Sequence, residues 1–394
     1  MCKFKTLIIS GILAFILVGC SSKEEEIFNQ GNIMTLYGPV METDSAYYYT
    51  TNDFNYELHY YDKASGKSIF LCNKPECSHD GNEFCAATAG GRYVMHSVLY
   101  EDGIYIAALE EADNRVDKKL FKVSLDGTKL ETICTYGYEP SDGMIMYGFD
   151  VEKYMAIYRE KAFVPYSTPQ KDNSNNYGTA IIDIKSGKVE YLEECNSYSS
   201  LGQKKYIPYG DYLYYYVSDI YQSPAKLCRY HLTQKNNEEI AVLKKFVDYC
   251  IVDGLVVYTQ ADENGYVHIC TMNPDSKETK DLTGPLTSED GTPLLTEWEG
   301  KLFFDGEYLV TFTYPDKENE ECQYYVFSKE GTMLTAFTPP EPIRKGDTPD
   351  FCMLNGYAYF RDYYGMVRCS MQDILNGNPE WTTLFVTAQE EQEG

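Results

Sequence analysis

A three-part pattern recurs along the chain, and self-similarity at a fixed period limits the fold more than any local feature. Each copy opens on an apolar-aromatic run, often after an acidic or amide residue and a glycine. A second run ends near an aspartate or similar turn residue, and a Gly-Lys-like turn leads into a third. The copies are "DSAYYYTT" from Asp44 with "LHYYDKASGKSIFL" from Leu58, and "EDGIYIAAL" from Glu101 with "KLFKVSLDGTKLETI" from Lys119. They continue as "EKYMAIY" from Glu152 with "TAIIDIKSGKVEYL" from Thr179, and "GDYLYYYV" from Gly210 with "KLCRYHLTQKNNEEIAVL" from Lys226. "DGLVVYT" from Asp253 precedes "VHICTMNPDSKETKDL" from Val267, and "EGKLFFD" from Glu299 precedes "YYVFSKEGTMLTAF" from Tyr324. The last is "NGYAYFRD" from Asn355 with "VRCSMQDILNGNPEWTTLF" from Val367.

These units begin roughly 40 to 60 residues apart, the spacing of propeller blades with one four-stranded sheet each. Apolar and polar residues alternate with the strand period of two, and no long stretch keeps a helical period. Gly66, Gly127, Gly187 and Gly331 fall where a tight hairpin needs a positive φ. The sequence therefore predicts an all-β fold, a β-propeller of about seven four-stranded blades over residues 34–387. Six to eight blades are admitted, because first and last strands can share a closing blade. An irregular pair of β-sandwiches is the competing arrangement. The roughly 370 residues beyond the N-terminal segment exceed a usual single core, which a closed repeat accommodates. Aromatics make up 15% of the chain, with 38 tyrosines against two tryptophans, a composition suited to half-buried sheets.

The N-terminus reads as an export signal. Lys3 and Lys5 precede the apolar run Leu7 to Val18, which is shorter than the ~20 residues a membrane span needs. Leu17, Val18, Gly19 and Cys20 resemble the lipobox of bacterial lipoproteins. That resemblance implies loss of residues 1–19 and a diacylglyceryl group on the thiol of Cys20. The alternative is an uncleaved anchor helix, and either one places the bulk of the chain outside the cytoplasm. Residues 20–33, containing "SSKEEEIFNQGN", are too polar to fold alone and read as a flexible tether; 388–394 read as a frayed acidic tail.

The repeated "strand, x-L-Y-x-x-D, x-x-G-K, strand" pattern resembles the propellers of bacterial surface lipoproteins, similar to TolB-like and YWTD-type propellers, over most of residues 34–386. The resemblance implies a fold and an address on the extracytoplasmic face of a membrane. It implies no activity.

Removing residues 1–19 takes away Lys3, Lys5 and no acid, leaving 32 basic against 60 acidic residues, a net charge of −28. Such a surface repels phosphate backbones and anionic headgroups, which argues against nucleic acid and direct membrane-surface binding. Cationic partners, calcium and neutral glycans remain, and solubility alone also accounts for the charge. Of 13 cysteines, Cys2 and Cys20 belong to the signal and the lipid site; eleven remain, an odd number. They are scattered rather than dense, unlike a secreted disulfide framework. Most, such as Cys228, Cys250, Cys270, Cys352 and Cys369, read as small reduced core residues.

The exception is "LCNKPECSHDGNEFC", residues 71–85, a Cys/His-rich inter-blade loop. Cys72, Cys77, His79 and Cys85 can close a tetrahedral shell around a structural zinc. Pro75 and Gly81 can help the chain turn back. The spacing matches no established zinc knuckle, so a disulfide among the three cysteines, or unlinked thiols, stays open. Four protein ligands would leave no open position, making such a metal structural.

No other signature of chemistry stands out. There is no His-Glu-x-x-His helix, Gly-x-Ser-x-Gly elbow or Asp-x-Asp-x-Asp-Gly loop, and "DENG" at 262–265 reads as a turn. His59, His96, His231 and His268 lie in or beside strands. Tyr47 to Tyr49 and Tyr214 to Tyr216 can stack on sugars, but blade packing explains them more simply. No residue is singled out as catalytic. The sequence thus points to a lipid-anchored, non-enzymatic module that binds or scaffolds a protein or glycan across a propeller face. The alternative is a glycan-active enzyme using acidic residues at the central channel, which a convergence of such residues from several blades would favour.

Overall fold

The computed structural model describes residues 26–386 except 33–38, 51–56, 80, 113, 141–154, 170–174, 197–204, 220–221, 296–299, 314–321, 341–349 and 362–364. The signal segment, Cys20 and the acidic tail lie outside the described residues.

Seven antiparallel sheets, each of four consecutive strands, make a seven-bladed β-propeller. The blades span residues 41–70, 93–140, 156–196, 207–243, 246–285, 303–337 and 350–386. First strands of successive blades touch, from Met41–Glu42 round to Asp350–Leu354, and form the inner ring. Among the described residues each blade is built from four consecutive strands, so the shared closing blade that the sequence admits is not used. Side chains close the ring instead. Tyr49 stacks on Phe385 with ring centroids 3.9 Å apart, the Tyr359 hydroxyl donates to Glu42 Oε2 at 3.0 Å, and Arg361 donates to the Thr50 carbonyl.

The opening runs of the sequence units are the second strands of five blades. In the third and sixth blades, "EKYMAIY" and "EGKLFFD" instead overlap the innermost strands Ala156–Tyr158 and Phe303–Phe304. The true second strands there are Lys161–Pro169 and Tyr308–Phe312. Those innermost strands are short and buried along their whole length, so they lack the alternation that marks a half-exposed strand.

Gly66, Gly127, Gly187 and Gly331 all take positive φ, between third and fourth strands. In the fourth and fifth blades lysines hold that position: Lys235 at φ 58° and Lys277 at φ 62°. The turns at Gly187, Lys235, Lys277 and Gly331 pack onto the outer strand of the preceding blade. Lys235 reaches back to Glu190 and Lys277 to Glu238, both at 2.7 Å. A Cβ on Gly187 would stand 2.6 Å from the Ile133 carbonyl oxygen.

The antiparallel order fixes which turns share a face. First–second and third–fourth turns lie on one face, here called upper. The far ends of the second strands, with the described turn at 262–266 in the fifth blade, lie on the other, lower face. Residues 26–32, expected in the tether, are instead hydrogen-bonded to the inner ring, with Gln30 6% exposed.

Candidate metal centre

The outermost strand of the first blade, Lys67–Phe70, has only four residues. The chain leaves it at Leu71 because the next blade's turn crowds in. A Cβ on Gly127 would stand 2.8 Å from the Leu71 carbonyl carbon and 2.9 Å from Cys72 N. Asn73 N then donates to the Gly127 carbonyl at 3.2 Å. No strand resumes until Tyr93.

In between, the connector is a series of tight turns. Cys77 N donates to Lys74 O at 3.0 Å, Cys85 N to Asn82 O at 2.9 Å, and Gly90 N to Cys85 O at 2.8 Å. His79 has φ 56°, unusual for a non-glycine residue and a sign that its surroundings hold it there. Gly81 and Gly91 meet so closely that a Cβ on Gly91 would lie 2.3 Å from the Gly81 oxygen. Leu58 N donates to Ala87 O at 2.7 Å, tying the connector to the first blade.

These turns bring Cys72, Cys77, His79 and Cys85 together: their ligand atoms all lie within 4.8 Å of one another. Cys85 Sγ is 3.6 Å from His79 Nδ1. A tetrahedral zinc, with bonds of about 2.3 Å to sulfur and 2.0–2.1 Å to nitrogen, has ligand-to-ligand edges of about 3.5–3.8 Å. The set therefore fits a metal ion of that size, and the widest pair closes to such an edge by about 1 Å.

Neighbouring groups support the set. Asn82 Nδ2 donates to Cys77 Sγ at 3.4 Å. The His79 ring stacks on Phe70 at 4.7 Å, the end of a ladder running back through His59 and Tyr49 to Phe385. The His79 backbone N–H, then the Asn82 amide, pull the Cys77 thiol down to about 6, so this sulfur is readily a thiolate. Burial acts in the opposite direction on Cys85 and raises it. No disulfide joins any of the ten cysteines whose side chains are described, Cys72, Cys77 and Cys85 among them. Several of the others behave as core residues: burial pushes Cys134, Cys270 and Cys369 up to about 11.

The tyrosine runs are packing. Tyr47, Tyr48 and Tyr49 are buried, as are Tyr214, Tyr215 and Tyr216. At the lower mouth of the channel, sequence reading missed a buried charged network. Lys205 Nζ lies 3.0 Å from Asp248 Oδ2 and donates to Leu302 O at 2.6 Å; Leu302 N donates to the same carboxylate at 2.8 Å. Burial pulls the Lys301 ammonium down, opposed by Asp248 and Asp350. Acidic residues from two blades do converge here, but between lysines. Each of these residues is isolated in its own segment, so no spacing signals the network.

No protein-family model matches the chain, and no curated protein matches its sequence. Many solved structures match in fold. A prolyl endopeptidase aligns with a TM-score of 0.57 at 11% identity, over 92% of this chain and 52% of that one. The chain thus spans about half the length of that enzyme. An uncharacterized protein of Listeria monocytogenes EGD-e aligns with a TM-score of 0.51 at 10% identity, over 93% of this chain and 98% of that one. TolB of Acinetobacter baumannii matches at a TM-score of 0.37 and 11% identity, over 89% of this chain and 79% of that one. At such identities the likeness to the first two is one of fold alone, the β-propeller.

Proposed function

We propose that this chain is a membrane-anchored, extracytoplasmic propeller that binds or scaffolds a protein or a glycan and catalyses no reaction. In this reading Cys20 carries the lipid, and the connector of Cys72, Cys77, His79 and Cys85 holds a structural zinc that fixes one rim of the ring.

The observation that carries the non-catalytic part is electrostatic. The carboxyls of Glu42, Asp102, Asp126, Asp183, Glu190, Glu238 and Asp290 are all displaced downward. Ser124 and Thr128 hydroxyls hold Asp126 at about 2, Ser288 and the Thr292 backbone hold Asp290 at about 2, and lysines lower Glu190 and Glu238. Glycan hydrolysis needs one carboxyl raised enough to act as an acid. The zinc, with four protein ligands, offers no open position to a substrate. The prolyl endopeptidase likeness supports a shared propeller, a scaffold that serves binding and catalysis alike.

The ectodomain from Ser21 onward, screened by thermal shift against glycans and by turnover of oligosaccharides, tests this reading. A ligand that raises Tm and is recovered unchanged is expected, since binding to the native state alone stabilises it. Turnover that disappears in Asp248→Asn while the variant stays folded would make the chain an enzyme of the channel.

A further inference from the structure

Residues 26–32 cross the upper mouth of the channel and are bonded to blades around the ring. Glu26 Oε2 accepts from the Arg159 backbone N–H at 2.9 Å and from the Tyr100 hydroxyl at 3.2 Å, in the third and second blades. Phe28 packs against the cores of the middle blades. The buried Gln30 amide donates to Ile251 O at 2.7 Å and accepts from Ile251 N at 2.6 Å, in the fifth blade. Met353 N in the seventh blade donates to Gly31 O at 2.6 Å. A Cβ on Gly31 would meet the Met353 oxygen at 2.9 Å, so glycine is what lets the segment seat. Asn32 then exchanges two 2.9 Å bonds with Val40 at the first blade.

Cys20 lies six residues before Glu26. Six residues reach at most about 20 Å when fully extended. An anchor at Cys20 is therefore tied by a short leash to the centre of one face, not to a loose tail. We infer that the propeller stands with its upper face toward the lipid surface and offers its lower face, with the turn at residues 262–266, to partners. The inference rests on the lipid-anchor reading above.

Two features of the upper face suit that neighbour. Ile27, 90% exposed, projects beside the seated segment. The turn lysines Lys185, Lys235, Lys277 and Lys329 pair with Glu160, Glu190, Glu238 and Asp253. These four pairs neutralise part of the charge on this face, which lessens its repulsion from anionic headgroups.

The test uses the full lipidated chain in vesicles of phosphatidylglycerol and phosphatidylethanolamine. One form carries a peptide epitope between Gly210 and Asp211, in an upper turn, and another between Glu263 and Asn264, in a lower turn. Antibody binding on floated vesicles is compared with binding in detergent. The upper epitope is expected to bind severalfold more slowly on vesicles, with the lower epitope unchanged. A Gly/Ser insert of about 20 residues after Ser22, adding roughly 25 Å of reach, is expected to restore upper access. Gly31→Val, which unseats the segment, is expected to do the same. Equal access for both epitopes on floated vesicles, or protection of the lower one, overturns the inference alone. A chain that does not float overturns the anchor reading and the inference with it.

Discussion

Gly127 shows how one residue links the blade repeat to the metal centre. Its φ of +67° makes the turn of the second blade, and its missing side chain leaves room for Leu71 and Cys72. Gly127→Ala meets both objections at once, a left-handed backbone and a contact with main chain that cannot move aside. A loss of about 1–3 kcal/mol is expected in urea denaturation, with an unchanged m-value. No shift in the midpoint would mean that the connector is not seated against this turn. The glycine was legible in the sequence as a turn residue, while its second role was not. The lysines at the same position, Lys235 and Lys277, were illegible for the opposite reason: lysine has no preference for positive φ, and the turn imposes it.

Among elements, third strands such as Val267–Met272 could be read from alternation, because one face is half-wet, whereas second strands such as Ala46–Thr50, buried along their length, were read as apolar-aromatic runs opened by a turn residue. The innermost strands could not. Phe303–Phe304 has two residues and Ala156–Tyr158 three, all buried, and both fell in the opening runs of their units, which are second strands in the other five blades. The closure of the ring was also hidden, since it rests on partners such as Glu42 and Tyr359, 317 residues apart. That closure makes the fourth strand of the last blade, Thr382–Val386, a structural keystone. Phe385 is 5% exposed and stacks on Tyr49. Phe385→Ala is expected to cost about 3–5 kcal/mol, as buried aromatic truncations do. The check is thermal or urea unfolding followed by tyrosine fluorescence. A cost within the range of an exposed substitution would show that the first and last blades do not depend on each other.

For the whole molecule, a seven-bladed ring was legible because the repeat is nearly continuous and each unit carries its own turn chemistry. The metal set was legible as four candidate ligands, Cys72, Cys77, His79 and Cys85, without their geometry. What brings them within 4.8 Å is the turn at His79, the Gly81–Gly91 contact and the crowding by Gly127, none of which a spacing rule contains. The seating of residues 26–32 was illegible too. A polar segment reads as a tether unless the chain supplies distant backbone partners, as Ile251 and Met353 do here. The most direct test is zinc-edge X-ray absorption with metal analysis on the ectodomain, purified without oxygen, beside a Cys77→Ser variant. The account predicts one zinc per chain bound by three sulfurs at about 2.3 Å and one nitrogen at about 2.0–2.1 Å, lost or weakened in the variant. A metal-free protein with a thiol count two short, or with every thiol free, would contradict it.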